Sequence, residues 1–122
     1  MEVKITSHKD LKVWQESMIL VEKIYDLTRT FPDEEKYVLV PQIRRCSISV
    51  PSNIAEGFAR KGNKELLQFL FIALGSLSEL ETQIEIASRL RYCKDISEII
   101  NHIKFIRVML SRLITSIKNK PS

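Results

Sequence analysis

The side chains with the widest chemical reach in this 122-residue chain are two histidines and two cysteines, and neither pair is spaced to use it. Carboxylate-bridged metal bundles need Glu-x-x-His pairs, which turn both ligands toward the bundle interior. Here Glu98 precedes His102 by four residues, and no carboxylate precedes His8 or His102 by three. Cys46 and Cys93 form no CxxC pair and no cysteine–histidine spacing suited to zinc. A phosphate-cradling glycine loop and a GxSxG elbow are also missing. The residue types point away from an enzyme, and no catalytic, cofactor-binding or metal-ligating residue and no small-molecule substrate is assigned.

Polar and basic side chains at helical spacing are the remaining candidates. Arg45, Ser49, Ser52, Asn53 and Glu56 fall on one predicted helix and Ser76, Glu79 and Gln83 on the next. Asn53 and Glu56 share a helical face, as do Ser76, Glu79 and Gln83. Such a set has two readings. It is either a hydrogen-bonded network that fixes the register of two helices, with a glutamate neutralised by Arg45 or amide donors, or a polar rim that recognises a partner. Two basic groups are candidates for nucleic-acid phosphate: Arg60, Lys61 and Lys64 in a connection, and Lys104, Arg107 and Lys118 along a helix. Phe58 and Tyr92 are the only aromatics near them, so base stacking has little to build on.

Four helices must position these residues. The first is expected over about 10–30, with Asp10 as N-cap and Phe31-Pro32 as the stop. Its apolar residues form two stripes: Trp14, Met18, Val21, Tyr25 and Thr28, and Leu20, Ile24, Leu27 and Phe31. Trp14 and Tyr25 read as core. The second helix is expected over 33–57, capped by Asp33, bent near Pro41 and Pro51, and closed by a left-handed Gly57. Asn63 is expected to cap the third, over 63–91, where Leu66, Leu70, Ala73, Leu77, Leu80, Ile84 and Ala87 form an unbroken three-four seam. Asp95 and Glu98 read as a capping box opening the fourth, over 95–118, whose seam is Ile96, Ile99, Ile103, Ile106, Leu110, Leu113 and Ile117.

Short connections and the absence of strand periodicity predict an all-α, single-domain, antiparallel up-down-up-down four-helix bundle. A bundle buries one broad stripe per helix, yet Leu67, Phe69, Phe71, Ile72 and Leu74 make the third helix apolar nearly all round. That surplus predicts a homo-oligomer. Gly75, costly within a helix, reads as a point of close packing.

The composition bounds the rest. The net charge of +4 is uneven: residues 1–94 are nearly balanced, while 95–122 carry five basic and two acidic side chains. This excess suits weak attraction to RNA or DNA rather than tight, dedicated binding. No apolar run is long enough to span a membrane, and residues 1–5 show no secretory leader, so the expected location is cytoplasmic.

Four motifs in order, Asp10 to Gln15 around Trp14, Gln42 to Arg45, Ser47 to Gly57, and Ala73 to Gln83, resemble the four-helix-bundle proteins encoded in intervening sequences of bacterial 23S ribosomal RNA genes. The resemblance runs from about Asp10 to the C-terminus. It implies a bacterial homo-oligomer, with a pentameric ring as the family's form. The family is in turn similar to the accessory variability proteins of diversity-generating retroelements, which implies a nucleic-acid partner. The functional expectation is a non-enzymatic oligomer that binds nucleic acid weakly or scaffolds a nucleoprotein complex; a purely structural or protein-interaction oligomer is the alternative.

Overall fold

The computed structural model describes residues 6–120. Residues 1–5, read above as leaderless, and 121–122 lie outside the described residues. Four helices, α1 (Lys12–Thr28), α2 (Leu39–Phe58), α3 (Asn63–Arg89) and α4 (Ser97–Lys118), each pack on the next, and α1 also packs on α4. They form the expected antiparallel four-helix bundle, without a strand among the described residues.

The helix starts differ from expectation for local reasons. Asp10 does not cap α1. Its carboxylate accepts from the Thr6 and Ser7 backbone amides and the Thr6 hydroxyl, and with Ser7 it forms a capping box around a 3₁₀ turn at His8–Asp10. Asp33 likewise opens only a 3₁₀ turn, Asp33–Glu35, and α2 begins at Leu39. Pro41 then falls in the first turn of α2, where a backbone N–H would have no intrahelical partner. The expected bend at Pro41 becomes a helix start, and only Pro51 lies inside α2.

The ends also differ. Gly57 is not left-handed; it is a buried residue within α2, and a Cβ there would stand 3.0 Å from Leu66 Cδ1 and 3.2 Å from the Leu66 carbonyl oxygen. The left-handed glycine is Gly62, at φ 98°, and it rather than Asn63 occupies the cap of α3. At the other end of α3 the left-handed residue is Arg91, at φ 66°. Tyr92 and Arg91 donate their amides to the Ala87 and Ser88 carbonyls at 2.9 and 3.0 Å, the paired bonds of a Schellman closure. Before α4, Asp95 accepts from the Ser97 amide at 2.9 Å, but Glu98 pairs with Lys23 of α1 at 3.1 Å, so the reciprocal half of the expected capping box is not made.

Every residue of the α3 seam is buried. In α4 the seam runs through Ile114 rather than the half-buried Leu113. In α1 the stripe of Leu20 and Ile24 is the core, with Phe31 buried beyond it, whereas Trp14, Met18 and Val21 line a groove against Ile48, Pro51 and Ser52 of α2. Trp14 is half-buried and meets His8 edge to face at 5.3 Å. Tyr25 carries the Arg44 guanidinium 4.3 Å over its ring, while Arg44 Nε donates to the Thr28 hydroxyl at 2.9 Å. These contacts tie α2 to α1 near the end that both share with Tyr92.

Candidate functional site

The polar residues of α2 and α3 meet in a groove of about 410 Å³ lined by Gln42, Arg45, Cys46, Ser49, Ile72, Ser76, Glu79 and Gln83. On α2, positions 42, 45, 46 and 49 repeat every three to four residues and therefore share one face. On α3, positions 72, 76, 79 and 83 do the same. The antiparallel packing of the two helices brings these faces together.

At the groove floor is a short chain of hydrogen bonds. Asn53 Nδ2 donates to the Ser49 carbonyl at 2.8 Å and to Ser49 Oγ at 2.9 Å, and Ser49 Oγ bonds to Ser76 Oγ at 2.8 Å. The buried Cys46 thiol donates to the Ser76 carbonyl at 3.1 Å. Burial, reinforced by the nearby Glu79 charge, pushes that thiol up to about 11. Cys46 is thus held as a protonated donor rather than a nucleophile. Above the floor, Arg45 and Glu79 are exposed and make no salt bridge among the described residues, and the buried Gln83 Oε1 has no hydrogen-bond partner there.

The expected polar set therefore divides. Arg45, Ser49, Ser76, Glu79 and Gln83 converge on the groove, with Asn53 behind Ser49. Ser52 belongs to the separate α1–α2 groove. Glu56 pairs with Arg60 one turn later, at 3.1 Å, rather than with Arg45 or an amide. Gln42 and Cys46 were missed, although their spacing from Ser49 and Arg45 carried the signal.

The basic candidates divide too. Arg60 is engaged by Glu56 and lies 5.1 Å over the Phe69 ring, whereas Lys61 and Lys64 are exposed. Arg107 is held by Glu81 of α3, Lys104 is exposed on α4, and Lys118 Nζ lies 5.1 Å over the Phe71 ring. That contact sets the last turn of α4 beside the first third of α3, at the end of the bundle where α2 turns into α3. The segments gathered there, 56–65 and 112–120, hold six basic and two acidic side chains. The connecting segments at the opposite end, 26–37 and 89–98, hold five basic and six acidic. Folding converts a modest net charge into a polarised one.

The apolar surplus of α3 is partly spent inside the chain. Leu67 and Leu74 pack against the core, and Phe69 lies half-buried beneath Arg60 with its Cβ near Gly57. Phe71 and Ile72 remain exposed.

Comparison with known proteins agrees with this architecture. A crystal structure of a protein of unknown function from the S23 ribosomal protein family of Bacteroides thetaiotaomicron is similar, with 26% sequence identity and a TM-score of 0.78, over 84% of this chain and 95% of that one. No curated protein matches. The family described as 23S rRNA-intervening sequence protein matches residues 9–112, along nearly the whole described bundle. The chain belongs to the family of 23S rRNA-intervening sequence proteins.

Proposed function

We propose that the protein is a non-enzymatic, self-associating helical bundle that uses its basic end to hold nucleic-acid phosphate and so serves as a weak binder or scaffold in a nucleoprotein complex. The charge separation between the two ends of the bundle is the observation that carries this reading. Lys61 and Lys64 are exposed at the α2–α3 turn and Lys118 and Lys120 close the same end, whereas the opposite end is close to balance, with five basic and six acidic side chains. Phosphate is recognised by such a patch without base reading, and its affinity comes largely from counterion release. One chain carries only +4, but five copies in a ring would carry about +20, with the basic ends repeated around the assembly.

Binding of single-stranded and duplex RNA and DNA oligonucleotides, followed by fluorescence anisotropy over a range of salt, tests the proposal. Affinity should fall steeply with salt and depend little on sequence. Replacing Arg60, Lys61 and Lys64 together with glutamine should lower affinity for all sequences alike and flatten the salt slope. No binding at low salt would favour the alternative, a structural or protein-interaction oligomer.

A further inference from the structure

Where α1 turns into α2 the chain surrounds a pocket of about 240 Å³. The buried Phe31 and Val40, with Pro32, form its apolar wall, and four charged side chains line the rest. Two of the four are already engaged: Arg29 is paired with Asp26, and Lys36 Nζ lies 5.7 Å over the Tyr37 ring. The other two, Arg44 and Asp33, are opposite in sign, yet they make no salt bridge with each other or with any other described residue.

Arg44 is oriented before any ligand arrives. Its guanidinium lies 4.3 Å over the Tyr25 ring, Nε donates to the buried Thr28 hydroxyl at 2.9 Å, and one Nη reaches the Tyr25 carbonyl at 3.5 Å. Ring and hydroxyl fix the plane of the fork and leave terminal N–H donors for a carboxylate, which such a fork binds bidentately at little ordering cost. Asp33 stands on the 3₁₀ turn, where the Glu35 and Lys36 amides donate to the Pro32 and Asp33 carbonyls at 2.9 and 3.0 Å. The α2–α3 groove also holds an unpaired couple, Arg45 and Glu79, but both are exposed and no described aromatic ring orients Arg45. The helix wall beside that couple is open as well: a Cβ on Gly75 would meet no atom within 4 Å, against its expected close packing.

We propose that the α1–α2 pocket binds a free α-amino acid with an apolar side chain, its carboxylate on Arg44, its ammonium on Asp33 and its side chain against Phe31, Pro32 and Val40. A zwitterion carries both charges on one carbon, so a single small molecule satisfies a guanidinium and a carboxylate that share a pocket without touching. The pocket falls below the roughly 300–1,000 Å³ of sites for drug-sized ligands, which restricts the occupant to something of amino-acid size. Phosphate would meet the Asp33 charge and a simple amine the Arg44 charge, and like charges brought together select against both. The pocket lies at the opposite end of the bundle from Lys61 and Lys64, so the inference stands independently of nucleic-acid binding.

Isothermal titration of the full chain with L-leucine, L-leucinamide, isocaproate and inorganic phosphate tests it. L-leucine should bind saturably; leucinamide, which lacks the carboxylate, and isocaproate, which lacks the ammonium, should each bind at least tenfold more weakly. Asp33→Asn, at an exposed position and with folding verified by circular dichroism, should lower leucine affinity at least tenfold without weakening isocaproate, so that the two ligands bind alike. Arg44→Lys, which keeps the charge but not the fork, should weaken both together. No saturable binding of L-leucine, L-valine or L-phenylalanine into the millimolar range would overturn the proposal. So would leucinamide, isocaproate or phosphate binding as tightly as leucine, or a preference for leucine over isocaproate that survives in Asp33→Asn.

Discussion

Asn53 shows what a polar signature does when it faces a neighbouring helix rather than solvent. Its amide donates twice to Ser49, and Ser49 crosses to Ser76. Asn53→Ala should cost about 1–2 kcal/mol, because the crossing hydroxyl pair loses the donor that orients it; chemical denaturation measures this. An unchanged midpoint with loss of partner binding would make Asn53 a recognition residue instead. Cys46 should resist alkylation at pH 8 in the native state and react on unfolding, since its thiol is buried and pushed up to about 11. Tyr92 donates its hydroxyl to Glu35 at 2.6 Å, and that bond, with burial and the charges of Glu35 and Glu34, pushes its ionisation up to about 12. A raised folded value stabilises the protein fully below the ordinary tyrosine range, near pH 10, and the contribution disappears as pH rises from there toward 12. Alkaline ultraviolet titration should lose its latest phase in Tyr92→Phe.

At the scale of elements, two helix-breaking residues ended up in roles that periodicity alone does not separate. Gly57 lies where α2 and α3 come into contact, and a methyl there would press on the Leu66 carbonyl, which belongs to the backbone and cannot swing aside. Gly57→Ala should therefore destabilise the bundle by about 1–3 kcal/mol in thermal unfolding, although alanine is the better helix former. Arg91 presents the converse case: a non-glycine residue in the left-handed cap of α3. Arg91→Gly should stabilise by about 1 kcal/mol by removing the Cβ penalty while keeping the closure bonds. From the sequence Gly57 reads as the left-handed cap, because a glycine at the end of an apolar pattern suits either a cap or a close contact. Pro41 carries a similar ambiguity. Whether a proline bends a helix or opens one depends on where the preceding turn ends, and the 3₁₀ turn at Asp33–Glu35 settled that locally.

For the molecule as a whole, the sequence by itself determined the four-helix bundle and most of its core. The three-four seams of α3 and α4 require burial of one stripe per helix, and the short connections leave antiparallel neighbours as the direct solution. The convergence of Arg45, Ser49, Ser76, Glu79 and Gln83 was half legible, since each helix shows its own face, but which faces meet depends on how the two helices are rotated against each other. That rotation sent Ser52 to the α1 groove and left Glu56 with Arg60. Tertiary structure alone decided which part of the apolar surplus remained outside. Leu67 and Leu74 turn toward the core, while Phe71 and Ile72 flank the open Gly75, because a helix presents neighbouring residues about 100° apart and only its partners determine which directions are covered. The same folding brought the α2–α3 turn and the end of α4 together, placing basic side chains that are more than forty residues apart in sequence at one end of the bundle.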